Sequence, residues 1–143
     1  MKILAAFLAC AVAATGITTA AEAEFPDISI NELDKAIKDP KIVVVVIDVN
    51  GTASFKSGHI PTAIDFQAKG KDLAKHMPED KKVLVVPYCG GPKCSAYKRA
   101  AKAAKALGYV NVKHLSAGKS GWLDAKMPVE KGEATSKKTT KKG

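Results

Sequence analysis

The chain has 143 residues and a formal net charge of +9, enough for one ordinary domain. It holds three cysteines and three histidines. His59, His76 and His114 stand at no metal-type spacing from the cysteines, which argues against a zinc-built domain. The tail "KGEATSKKTTKKG" carries five lysines against one glutamate, nearly half of the net charge.

The chain begins "MKILAAFLACAVAATGITTAAEAEF". Lys2 is a minimal positive start. Ile3 to Ile17 is apolar but too short to span a bilayer comfortably. Ala21-Glu22-Ala23 has the small-x-small form of a cleavage site. The reading is a secretory signal over residues 1–23, with the mature protein periplasmic or secreted and without stable membrane insertion. A retained anchor is the alternative. Cys10 leaves with the signal. Cys89 and Cys94 remain, a pair that invites a disulfide in an oxidising compartment.

In "DISINELDKAI", Ser29 with Glu32 three residues on makes a capping box and predicts a helix, stopped at Asp39-Pro40. "KIVVVVIDV" is a continuous β-branched run, a strand buried on both faces and ending at Asp48. "NGTASFKSGHIPT" reads as a long loop with one helical turn. "AIDF" is a short strand and "GKDLAKHM" a short helix ended by Pro78. "KKVLVVPY" is the second buried strand. Ser95 to Leu107 is a helix stopped by Gly108. It sets Ala96, Ala100, Ala103, Ala104 and Leu107 on the dry face and Lys98, Lys102 and Lys105 on the wet one. "YVNVKHL" is a third strand and "KSGWLDAK" a last helix, with Trp122 as a core plug. Lys131 to Gly143 has no apolar period and reads as a disordered, solvated tail, which leaves residues 24–130 as the domain. Nucleic acid is not expected as a partner, since an exported protein meets little of it.

Strands alternating with helices predict an α/β fold with a parallel sheet covered on both faces. Sites in such sheets lie beyond the carboxyl ends of the strands. Asp48 and Cys89 both fall there. "YCGGPKCSAYKRA" places Cys89 at the mouth of a glycine loop in front of a helix. Helix N-termini carry unpaired N–H groups and partial positive charge, and Gly90 and Gly91 permit the dihedrals of a cradle. Pro92 donates nothing. Lys93, Lys98 and Arg99 add positive charge. The expectation is a nucleophilic cysteine acting on small anions, with the Cys94 amide, not its thiol, facing the sulfur. A buried inert cysteine is the plain alternative. Asp48 and His59 read first as loop braces, and Ser95 as an N-cap whose hydroxyl could also reach the sulfur.

Taken together, "VIDVN", "FKSGHIPTAIDF" and "PYCGGPKCSAYKRAAKAAKALGYVNVKHLSAGKSGWLDAKMPVE" resemble a single-domain rhodanese-like sulfurtransferase over about Ile28 to Glu130. The resemblance implies a central parallel sheet of about five strands with helices on both faces. It implies that Cys89 takes a sulfane sulfur from thiosulfate or a related small anionic donor, becomes a persulfide, and passes the sulfur to cyanide, a thiol or a protein acceptor. It implies that Gly90, Gly91, Pro92, Lys93, Cys94 and Ser95 form the substrate-binding loop. Asp48, His59 and Arg99 are supporting residues. No cofactor or metal is implied.

Three positions depart from the family pattern. Cys94 stands where arginine is common, Asn50 replaces an arginine two residues after the aspartate, and Ala117-Gly118 replaces Gly-Gly. Ser95 at the sixth position after Cys89 also excludes the phosphatases of this fold, which need an arginine there. The alternatives are a thiol-disulfide redox protein using Cys89 and Cys94, or a weakly catalytic sulfur-carrier or binding module.

Overall fold

The computed structural model describes residues 24–133. The signal reading of residues 1–23, and the tail from residue 134 onward, lie outside the described residues.

The first helix, α1, is Ile30–Lys38. Its capping box is formed as expected: Glu32 N donates to Ser29 Oγ at 3.3 Å, and Ser29 N donates to the Glu32 carboxylate at 2.9 Å. Strand β1 (Val44–Asp48) pairs in parallel with β3 (Leu84–Tyr88) along its whole length, and with β2 (Ile64–Asp65) over its last two residues. The order is β2-β1-β3. Alternation along β1 sends Val45 and Ile47 into one apolar cluster and Val46 into the other. Val85 and Val86 divide in the same way on β3. This is why both strands read as unbroken apolar runs: each face has its own core.

On one face the core is closed by α4 (Tyr97–Ala106) through Ala100, Ala101 and Ala104, with Leu73, Met77 and Tyr109. On the other lie α1, α2 (Thr52–Ser57) and α5 (Gly118–Asp124), which contribute Leu33, Phe55 and Trp122. Trp122 is fully buried, and its Nε1 donates to Pro128 O at 2.8 Å.

Among the described residues, the expected five-stranded sheet is a three-stranded ladder. The third predicted strand, Tyr109 to Leu115, lies beside β3 but makes only isolated bridges, Val85 with Val112 and Tyr88 with Leu115. Pro87 explains the interruption. Val85 donates to Asn111 O at 2.9 Å and accepts from Lys113 N at 3.0 Å, so the odd positions of β3 face this flank. Pro87 is the next odd position and has no N–H, so the ladder loses a rung there. A fifth segment joins through the bridge between Asp27 and His114.

Other boundaries moved. The expected strand "AIDF" ends at Asp65, because the Asp65 carboxylate accepts from Gln67 N at 2.9 Å and caps α3 (Phe66–Lys69). The expected helix after it is 3₁₀, Gly70–His76, kinked at Asp72. The helix expected from Ser95 begins at Tyr97; Ser95 contributes its carbonyl to Lys98 N at 3.1 Å and makes no side-chain cap. Just past Glu130, Gly132 N donates to Lys56 O at 3.0 Å. No helix among the described residues is long and apolar enough to cross a membrane.

Candidate active site

The site lies at the carboxyl ends of β1 and β3, where Asp48 and Tyr88 are register partners and Cys89 follows at once. Cys89 is buried. Its sulfur is bonded to that of Cys94, with the Cα atoms 6.3 Å apart. Between them, Cys94 N donates to Gly91 O at 3.0 Å, closing a tight turn over Pro92-Lys93. Proline suits that place, since its fixed φ matches the second residue of a turn and no donor is required of it. Gly91, Pro92, Lys93 and Cys94 line an open depression of about 390 Å³.

The expected facing of Cys94 is therefore corrected. Its amide is engaged by Gly91 O, its carbonyl oxygen lies 3.1 Å from the Cys89 sulfur, and its own sulfur meets Cys89. The turn directs the Cys94 N–H away from the Cys89 sulfur and brings the Cys94 sulfur inward.

The last helix anchors the loop from behind. Lys119 N donates to Cys89 O at 2.7 Å and Ser120 N to Gly90 O at 2.9 Å. This approach requires Gly118. Its φ is +60°, and a Cβ there would lie 2.6 Å from Cys89 O and Gly91 N. The sequence marked Gly118 as a motif residue but showed nothing of Lys119, whose Nζ also reaches Ser54 O and Oγ on α2, both at 2.9 Å. No pattern in the sequence marks an amide that acts only through tertiary packing.

Asp48 is a brace. Its Oδ1 accepts from Asn50 N at 2.7 Å and Asn50 Nδ2 at 2.8 Å, while Oδ2 accepts from the Tyr88 hydroxyl. That hydroxyl in turn accepts from Ile60 N at 3.0 Å. Asp48 and Tyr88 are both fully buried. Burial, and then the adjoining Asp48 carboxylate, push the Tyr88 phenol far above its ordinary range, so Tyr88 stays a proton donor to Asp48. Sequence reasoning passed over Tyr88 because it reads as a strand residue.

His59 is also a brace. It is fully buried and stacked on Phe55, and its Nδ1 lies 2.8 Å from Phe55 O. Its backbone exchanges two 2.9 Å hydrogen bonds with Glu130, and its Nε2 faces the Glu130 carboxylate at 3.6 Å. The cations expected around the loop have partners elsewhere. Arg99 sits over the Phe66 ring, and Lys98 is 3.7 Å from Glu24. Lys93 remains at the rim of the depression.

The family model of the rhodanese-like domain matches residues 29–125. Among solved structures, the chain is similar to the BH2092 protein from Bacillus halodurans, at 27% identity and a TM-score of 0.58 over 74% of this chain and 77% of that one. It is similar to SseA from Escherichia coli, a 3-mercaptopyruvate sulfotransferase, at 20% identity and a TM-score of 0.61. That match covers 77% of this chain and 52% of the other. A thiosulfate sulfurtransferase from Pseudomonas aeruginosa matches at 24% identity and a TM-score of 0.58, over 76% of this chain and 20% of its own. The last two likenesses concern the fold.

Proposed function

The chain belongs to the rhodanese-like domain family, and from that premise we propose that it is a sulfurtransferase whose nucleophile is Cys89. The observation that carries this reading is the buried cysteine directly after the parallel strand β3, in a loop whose carbonyls are held by α5 amides. The Cys89 thiolate attacks the outer sulfur of thiosulfate or a related anion. The bond between the two donor sulfurs breaks, sulfite leaves, and Cys89 carries a persulfide. Cyanide or a thiol then takes the outer sulfur and returns the thiolate. Lys93, at the rim of the depression, offers a charge to the incoming anion. The leader sequence supports a periplasmic or secreted setting, checked by the mature N-terminus from an exporting host.

The test starts from reduced protein. The expected result is one sulfite released from thiosulfate per chain, and none from Cys89→Ser with an unchanged circular dichroism spectrum. Sulfite released equally fast by Cys89→Ser sinks the assignment. The bonded sulfurs of Cys89 and Cys94 favour a second reading, plain thiol-disulfide exchange. Under that reading neither protein releases sulfite, and both cysteines are needed to reduce a disulfide substrate.

A further inference from the structure

We infer that Cys94 is a resolving thiol, so that this domain releases the transferred sulfur as hydrosulfide and ends each cycle as the Cys89–Cys94 disulfide. The inference rests on the sulfurtransferase reading above. The residue at position 94 stands five positions from the nucleophile, and the two sulfurs are within bonding reach at a Cα separation of 6.3 Å, inside the ordinary disulfide range of about 4.4–6.8 Å. The turn from Gly91 to Cys94 is already hydrogen-bonded in this arrangement. An attacking thiol held this way acts intramolecularly, ahead of a free thiol that must diffuse in.

The step balances. The Cys94 thiol attacks the inner sulfur of the Cys89 persulfide, and the new bond joins the two cysteine sulfurs. The persulfide bond breaks and its outer sulfur leaves as hydrosulfide, carrying the Cys94 proton. Two cysteine sulfurs are oxidised by one electron each, and the sulfane sulfur is reduced by two. The next cycle needs an external dithiol. Cys89 is buried whereas Cys94 is half-buried, so such a dithiol meets the Cys94 sulfur first and expels Cys89 as the thiolate. Until then the nucleophile is covered and takes up no donor. Excess cyanide competes with Cys94 for the same persulfide.

The experiment is a single turnover. Fully reduced, desalted protein is mixed with thiosulfate without any acceptor, and sulfite, hydrosulfide and intact mass are followed. The expected parent releases equal amounts of sulfite and hydrosulfide and finishes two hydrogens lighter, with both thiols blocked to alkylation. Cys94→Ala stops earlier: it releases sulfite, gains the mass of one sulfur, and yields at least an order of magnitude less hydrosulfide. If the parent instead keeps the added sulfur with Cys94 free to alkylate, the inference falls and the sulfurtransferase reading stands. Hydrosulfide released by Cys94→Ala at the parent's rate also overturns it. If neither protein releases sulfite, the sulfurtransferase reading falls, and this inference with it.

Discussion

Tyr88 ties two segments together beneath the site. Its hydroxyl joins the Asp48 carboxylate on β1 to the Ile60 amide of the loop after α2, with no solvent access. Tyr88→Phe leaves a buried carboxylate oxygen and a backbone N–H short of a partner. The expected loss is about 2–4 kcal/mol, from unmet hydrogen bonds of this kind, read by denaturant unfolding. The direction with pH follows from the raised phenol. Folded Tyr88 keeps its proton where an unfolded tyrosine loses it, so this contribution is whole below about pH 10 and declines above it. Tyr88→Phe should therefore differ least from the parent at strongly alkaline pH. Cys89, Asp48 and the loop glycines were legible as residue types in the sequence. The role of Tyr88 was not, because a tyrosine in an apolar run reads as packing until its partner strand is known.

At the scale of elements, α5 is tied to the loop through Gly118. An alanine there would set its Cβ against Cys89 and Gly91 backbone atoms that cannot rotate away, in a left-handed conformation that side chains resist. Gly118→Ala should cost on the order of 3 kcal/mol and slow sulfite release, because Lys119 N and Ser120 N can no longer hold the loop. A thermal melt beside the single-turnover assay checks both. Helix α1 offers a separate test of its capping box. The Ser29 hydroxyl, then the Ser29 amide, hold the Glu32 carboxyl below its ordinary range. A lowered carboxylate contributes stability above its ordinary pKa and loses it as pH falls through the folded value. Ser29→Ala should cost about 1 kcal/mol at neutral pH, less at acid pH, and raise the Glu32 value in an NMR titration. The box was readable from residues 29 and 32 alone, since it is local. The 3₁₀ segment at Gly70–His76 was not, since apolar period does not separate a helix from its tighter relative.

At the scale of the whole molecule, the segment after α5 closes the fold. Pro128 O accepts from the buried Trp122 indole, and Glu130 pairs its backbone with His59. Ending the chain after Met127 strips partners from both buried groups. With about 1–3 kcal/mol for each unmet buried group, against the ~5–15 kcal/mol of a typical domain, the truncated protein should melt far below the parent; an unchanged melting curve would refute this role. What the sequence determined alone follows from short-range chemistry: the capping box, the two buried strands, the α/β alternation, and a cysteine at a strand end before a glycine pair. The rest required the tertiary structure. Whether the flank of β3 forms a full ladder depended on which side Pro87 turns its missing donor. Whether Asp48 is a base or a brace depended on Tyr88, forty residues on and opposite it in register. Whether Cys94 shows its amide or its sulfur to Cys89 depended on how the Gly91 turn closes. Each of these is a matter of direction, and direction is set by contacts between segments far apart in the chain.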